Sequence, residues 1–507
     1  MLVSLNEIKK YININDLSVE ELVKKLTFAG VEVEQTIEQG FGTKLIIGEV
    51  LNCINIPETH LHNCLVNIGN GNNLKIVCGA PNVRTGLKVV VALDGCKLKG
   101  GYIKKSVIKG FESNGMLCSL SELGVDKKLL SDKENSGIYE VKESCSIGDT
   151  NVLEILGLDD VLLDLKVLPN RKDLLSIENI VKEIATLFPR KFQEIEVKDF
   201  EENPTDFSVK VLTEKCSVFT ARIIKGIKVK ESPKWLQDFL NKHGMRSISN
   251  VVDIGNYIML MLGNPVHVYD YDKLKKKELV IKEGYTGSVV ALDEKSYEIK
   301  PQDIVITSGD DVACIAGVMG GNSTKDDNNT HNLVLEVASF DGTSIRETSK
   351  RLGIPSEASS RYMKNVDCHN FEKVSKLATN LFFELAEAKE ASEMVVYNKL
   401  NLEKHVVETT YKKINSILSS DLSDEQIKQV LIQDQLDVKD SKNGSLIVEI
   451  PFCRDIDGEN DLAEEVIRIL GTDIIKKDMP FVSMGVGNKG KKYEFNEKIC
   501  SYLWASL

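Results

Sequence analysis

The sequence predicts a multidomain α+β protein with four parts in chain order. These are an N-terminal helical segment, an OB-fold β-barrel, a mixed α/β domain and a small helix-rich α/β domain. Three observations predict it. At 507 residues the chain exceeds what one hydrophobic core serves. Residues 41–150 read as short alternating strands broken by turn signals. The stretches on either side carry apolar residues at helical spacing.

Ser18-Val-Glu-Glu21 is a capping box in the N-terminal helical segment, 1–40, and Leu22, Val23, Leu26 and Ala29 give the helix an apolar face. Gly30 ends that helix. In 41–150, KLIIGEVLNCINI, CLVNIGNGNNLKIVCG with its Asn-Gly turn, LKVVVALDG and YIKKSVIKG suit a small closed barrel of the OB type. Ile177, Ile180, Val181, Ile184 and Leu187 mark a helix in the segment 151–207, whose acidic end, EVKDFEENPTDF (196–207), reads as a linker. Residues 208–400 mix strands such as DIVIT and NLVLEVASF with helices, the clearest bearing Phe371, Val374, Leu377, Leu381 and Leu385. KDDNNTHN (325–332) reads as a flexible polar loop. Residues 401–480 hold a helix around YKKINSILSS, a capping box at Ser423–Gln426, an Asn-Gly turn at 443–444 and the strand SLIVEI. The last part, 481–507, carries an amphipathic helix with Phe495, Ile499 and Leu503 on one face. No internal repeat is visible.

With 42% hydrophobic and 28% charged residues the composition is that of soluble globular protein. A net charge of −12 argues against a general nucleic-acid coat and leaves room for a local basic patch. Eleven cysteines, scattered without any CxxC, fit reduced thiols better than disulfides or zinc. MLVSLNEIKKYI lacks the apolar core of a signal peptide, and no apolar run is long enough to span a membrane. The expected compartment is the cytoplasm.

Four stretches bear on chemistry. His267 in NPVHVYD stands between valines, where a histidine is either a satisfied core residue or part of a site. CKLKGGYIKKSVIKG (96–110) places Lys97, Lys99, Lys104, Lys105 and Lys109 together without an acid. On a barrel this run lines a phosphate-tracking groove, with Tyr102 and Phe111 for stacking, or it blunts an edge hairpin. AGVMGGN (316–322) matches neither GxGxxG nor the phosphate loop, so its glycines suit a close backbone approach. In RDIDGENDLAEE (454–465), Asp461, Glu464 and Glu465 share one side of a helix start. There they either complement the helix dipole or offer oxygens to magnesium. No GxSxG or HExxH is present.

These stretches together resemble a known family. KLIIGEVLNCINIPETHLHNCLVNIG, IVCGAPNVRTG and FESNGMLCSLSELG are similar to the tRNA-binding OB module of several synthetases. LVSLNEIKKYI…LTFAGVEVE, LPNRKDLLSI, HGMRSISNVVDIGNYIMLMLGNPVHVYDYDKL, IAGVMGGNST, LVLEVASFD and RLGIPSEASSRY narrow the likeness to the β subunits of bacterial phenylalanyl-tRNA synthetases. The likeness runs in order from residue 1 to about 480.

The resemblance implies an (αβ)₂ enzyme that attaches phenylalanine to tRNA(Phe) with ATP, adenylation lying in the α subunit. It makes 208–400 an editing domain that hydrolyses tyrosine mischarged onto that tRNA. An apolar pocket rejects an added hydroxyl by only about 10², so a second, hydroxyl-reading site raises fidelity. Carried over by position, the editing pocket is His267, Gly320, Glu336, Ser356 and Ala358, with Arg246 nearby. Glu336, with His267, would hydrogen-bond the tyrosine hydroxyl, while Gly320 and Ala358 would set pocket size; His267 receives no proton-transfer role. Ser356 stands where the family commonly has threonine. Magnesium ligands shared with the α subunit fall on Asp455, Asp461, Glu464 and Glu465, with Asp457 the alternative to Asp455. In the family the chain continues into a synthetase-like domain and an anticodon-binding domain, so 481–507 would begin the former. The rival reading is a truncated, free-standing tRNA-binding and deacylating protein without ligase activity.

Overall fold

The computed structural model describes residues 1–441, 445–475 and 490–506. The Asn-Gly turn at 443–444 lies outside the described residues, as do 481–489.

The helix expected after Ser18 runs Val19–Phe28, with the Ser18 side chain accepting from the Glu21 amide. Leu22 and Leu26 are buried, and Gly30 takes the left-handed φ of +87° that lets the chain turn out of the helix. The chain's first segment is not purely helical, however. Strand Val161–Lys166 lies between Leu2–Ser4 and Glu32–Glu38, antiparallel to both. Segments 1–40 and 151–207, expected as separate units, therefore share one sheet, and the barrel is inserted between two of its strands. The strands were hidden for physical reasons. LVS is too short to show a period, and EVEQTIE is exposed along most of its length.

The barrel sheet has the strand order Gly115–Leu117, Lys88–Leu93, Leu45–Asn55, His62–Asn67, Asn73–Cys78. It is brought towards closure by the Asn114 amide on Lys75 O at 2.8 Å and the Val77 amide on Ser113 Oγ at 3.1 Å. Asn70 and Gly71 both have positive φ, as the tight hairpin turn requires. Alternation decides the packing. Ile46, Val89 and Val91 fill the interior, while Ile47, Val90 and Ala92 face outward beneath residues 118–158. YIKKSVIKG is not a barrel strand. It belongs to two small hairpins, Lys97–Leu98 with Gly101–Tyr102 and Ser106–Ile108 with Phe111–Ser113.

In the mixed domain, a sheet of order Glu202–Asn203, Glu390–Ser392, Cys216–Lys225, Asn332–Phe340, Val266–Asp270 faces a second of order Ser208–Val211, Glu278–Lys282, Val305–Ser308, Asp311–Ile315, Met319–Gly320. Their inner faces make one buried cluster that includes Tyr269, Val334, Ala338, Cys314, Val318 and Tyr362. The acidic linker is partly structural: Glu202 pairs at 2.6 Å with the buried Arg222 guanidinium. The loop at 325–332 is tied down rather than free, because buried Thr330 donates to Asp270 at 2.6 Å and Lys273 pairs with Asp327 at 2.7 Å.

The small domain packs helices Tyr411–Leu418, Asp424–Gln433 and Glu459–Leu470 with strands His405–Thr410, Asp437–Asp440 and Ser445–Ile450. It shares one large core with the N-terminal unit and the helices Asn250–Leu262 and Phe371–Leu385. A buried ionic cluster crosses the same junction. Arg171 pairs with Asp173 and Glu183, and Arg468 with Glu183, Asp434 and Glu465, which also takes Arg454.

Candidate functional site

Helix Asn250–Leu262 ends at Gly263, whose φ of +85° turns the chain into strand Val266–Asp270. Buried Asn264 anchors that turn by donating to Asp367 O at 2.7 Å. The strand pairs antiparallel with Asn332–Phe340, and the register sets His267 directly opposite Glu336. Directly opposite residues on paired strands share a face, so both look toward the second sheet.

Gly320 lies against His267 from that second sheet. A Cβ placed on it would fall 2.6 Å from His267 Cε1 and 2.9 Å from Leu292 Cδ1, far inside contact distance. Ser356 caps helix Glu357–Met363, and its hydroxyl donates to Val318 O at 3.3 Å, fastening the helix to the loop before Gly320. Ala358, the second residue of that helix, packs on the inter-sheet cluster. The structure thus gathers His267, Gly320, Glu336, Ser356 and Ala358 along the seam between the two sheets. Arg246 is not among them. It is exposed and lines a separate cleft of about 590 Å³ with Asn82, Tyr139 and Gln237. Helix Asn250–Leu262 follows Arg246 in the chain and leads into the turn before the histidine strand.

Three neighbours escaped the sequence reading. Tyr269 donates a hydrogen bond to Glu336 Oε2, and its ring meets His267 edge to face at 4.6 Å. Cys314 and Tyr362 complete the surroundings. Tyr269 carried a usable signal, since residues two apart on a strand share a face.

Burial raises the Glu336 carboxyl to about 7, against the opposing pull of the Tyr269 hydrogen bond. Burial also lowers the His267 imidazole to about 4. Both shifts favour the uncharged form, so the facing residues are not a salt bridge at neutral pH. The sign of each contribution to stability follows. From about pH 4.5 to 7, folded Glu336 holds a proton that the unfolded chain has lost. Its effect is to erode stability as pH rises, by roughly 3 kcal/mol in all. His267 acts oppositely, with stability lost as pH falls from about 6.5 to 4. Glu336→Gln is therefore expected to gain urea resistance relative to the parent as pH rises from 5 to 8. Parallel curves would show that this carboxyl titrates normally.

The five lysines of the basic run are all exposed, and among the described residues none pairs with a carboxylate. Lys104 and Tyr102 line a groove of about 610 Å³ with Val77, Ile108 and Ser113 of the barrel flank. Tyr102 is 65% and Phe111 37% exposed, so aromatic faces are available between the cations. Unpaired ammonium groups interleaved with aromatic faces suit a polyanion with stackable rings.

Two carboxylates of the acidic helix start are engaged within the chain. Asp461 accepts the Asp457 and Gly458 amides at 2.8 and 3.0 Å, capping its own helix. Glu465 turns inward onto Arg454 and Arg468 at 2.7 and 2.6 Å. Burial alone would raise its carboxyl, but the two guanidiniums outweigh that and hold it low. Asp455, Asp457 and Glu464 are exposed, and among the described residues no three His, Cys, Asp or Glu side chains gather as a metal site. The magnesium set expected at Asp455, Asp461, Glu464 and Glu465 is thus not assembled here. Helix capping and the ionic cluster claim two of its members.

Comparison with known proteins matches three family models: "Putative tRNA binding domain" over 45–150, "B3/4 domain" over 215–387 and "tRNA synthetase B5 domain" over 407–472. A phenylalanine–tRNA ligase beta subunit of Lactococcus lactis is 37% identical over 494 residues, 96% of this chain and 62% of that protein. One from Streptococcus mutans is 35% identical over 506 residues, 98% of this chain and 63% of that protein. The chain thus spans a little over three fifths of the length of these relatives. An N-terminal fragment of the phenylalanyl-tRNA synthetase beta subunit from Pyrococcus horikoshii aligns at 15% identity and a TM-score of 0.33, covering 62% of this chain and 88% of the fragment. That likeness is too slight to inform the fold.

Proposed function

We infer that this chain, a homologue of phenylalanine–tRNA ligase β subunits along nearly all its length, binds tRNA(Phe) and releases tyrosine wrongly attached to it. In the same reading it joins an α subunit, in an (αβ)₂ assembly, that carries ATP-dependent charging with phenylalanine. The observation that carries the deacylation reading is the buried Glu336 carboxyl facing His267 above side-chain-free Gly320.

Chemically, the task is to tell a phenol from a phenyl ring. A buried acceptor left unpaired by phenylalanine and paired by tyrosine makes that distinction strongly. Glu336 supplies the acceptor, His267 forms one wall as a neutral ring, Gly320 makes room for that ring, and Ala358 keeps its own wall small. The hydrolytic water is held by backbone and substrate groups, and no proton transfer is assigned to His267. Magnesium enters no step.

The test is release of tyrosine from mischarged tRNA(Phe). The full chain is expected to release it, and Glu336→Ala with Ala358→Trp to lose most of that release. Unchanged release in both variants would refute the site. Capture of an α subunit on co-expression separates a charging role from stand-alone deacylation. For the basic run, binding of tRNA should weaken steeply with salt. Neutralising Lys104 and Lys105 should flatten the log–log slope by roughly 0.7–0.9 per lost phosphate contact. A slope that does not move would remove the run from the tRNA path.

A further inference from the structure

The proposed site contains a phenol of its own. Tyr269 is wholly buried, stands on the same strand face as His267, and its hydroxyl donates to Glu336 Oε2. Among the described residues no hydrogen bond reaches Glu336 Oε1. Resting on the deacylation reading above, we propose that Tyr269 is a positioning residue that sets specificity: it holds one Glu336 oxygen so that the other accepts the hydroxyl of a bound tyrosyl group.

The argument is geometric first. A glutamate has three rotatable bonds, and a carboxylate that reads one hydroxyl must be held still. Tyr269 has few rotatable bonds and its ring is fixed between His267 and the inter-sheet cluster. Its hydroxyl pins Oε2 as a rigid strut would, from within the same sheet.

Electrostatics point the same way. Glu336 is faced by His267 and Tyr269 from the neighbouring strand, by Cys314 from the second sheet, by Cys216 from strand Cys216–Lys225 and by Tyr362 from helix Glu357–Met363. His267 is uncharged at neutral pH, and burial pushes both thiols up, so none of these supplies a cation. Burial drives the Glu336 carboxyl toward its protonated form, and the Tyr269 hydrogen bond is what opposes it. Charged acceptors bind hydroxyls more strongly than neutral ones. Tyr269 therefore keeps the stronger acceptor populated near pH 7.

Tyr269→Phe in the full chain tests this with two readouts. The first is the pH profile, from 5.5 to 9, of tyrosine release from mischarged tRNA(Phe), with release of correctly attached phenylalanine as reference. The second is isotope-edited infrared titration of the Glu336 carboxyl, with Glu336→Gln as blank. The expected result is a carboxyl that titrates higher and an acid limb of tyrosine release that moves up by the same amount. A shift of about one pH unit corresponds to roughly tenfold slower release on the acid side, with recovery toward pH 9. The preference for tyrosine over phenylalanine should fall with it. Equal loss at every pH, as a packing defect gives, overturns the proposal, and so does an unmoved limb. If the parent releases no tyrosine, the deacylation reading itself fails and takes this proposal with it. Equal release by the parent and Glu336→Gln overturns this proposal alone. The infrared titration would still report whether Tyr269 holds Glu336, so the two failures are distinct.

Discussion

Gly320→Val is expected to cut tyrosine release from mischarged tRNA(Phe) by about 100-fold or more, with the folded chain intact. The first carbon of any side chain at 320 lands 2.6 Å from His267 Cε1 and 2.8 Å from Nε2. What yields is a side chain, so the backbone survives and the pocket does not. Displacement of a site wall by about 1 Å commonly costs two orders of magnitude. Gly321→Ala makes the contrast. Its Cβ would lie 2.8 Å from Ala313 O, a backbone atom inside the sheet that cannot swing aside. That variant should lose stability before it loses selectivity. Urea midpoints and single-turnover deacylation, measured on both, would separate the effects. Normal release by a folded Gly320→Val would remove His267 and Gly320 from the pocket.

Arg468→Leu should destabilise the chain by about 3–5 kcal/mol, the cost of leaving buried charge without its partner. Its guanidinium pairs with Glu183 from one unit, and with Asp434 at 2.8 Å and Glu465 at 2.6 Å from the small domain. Removal strands three buried carboxylates that retain Arg171 and Arg454 alone. Arg468→Lys restores a charge but not the planar fork that reaches several carboxylates together, so it should recover the loss partially. Chemical denaturation reads both. A change below about 1 kcal/mol for the leucine variant would mean that the cluster contributes as little as surface pairs do.

The legible parts of the sequence were those with a local period or a long motif. Strand Asn332–Phe340 and helix Phe371–Leu385 have the bounds that apolar spacing gave them, because each buries a continuous face. The site was legible only in part. NPVHVYD and NLVLEVASF could be brought together by family likeness, but the facing of His267 and Glu336 is a register, set by pairing across distant sequence. Tyr269 carries no mark in the sequence because a tyrosine in a strand is ordinary, and its significance lies in what stands beside it. Asp461 and Glu465 pose the opposite difficulty. Carboxylates at metal-ligand spacing also serve caps and arginines, and the arginines that claim Glu465 come partly from outside its helix. Arg246 lines a separate cleft, and nothing local in HGMRS tells which neighbours it meets.

The three-stranded N-terminal sheet has a consequence for synthesis. Its outer strands, Leu2–Ser4 and Glu32–Glu38, are made first, and the middle strand, Val161–Lys166, is made only after the whole barrel. On a ribosome adding about 5–20 residues per second, the outer pair waits on the order of ten seconds without a neighbour. During that interval the nascent chain carries two unsatisfied β edges, the condition that invites misassociation between neighbouring polysomes. Glu32, Glu34 and Glu38 punctuate the longer edge with negative charge, so two copies brought together repel before they pair. The acidity of EVEQTIE, which hid the strand from pattern reading, is what lets it wait.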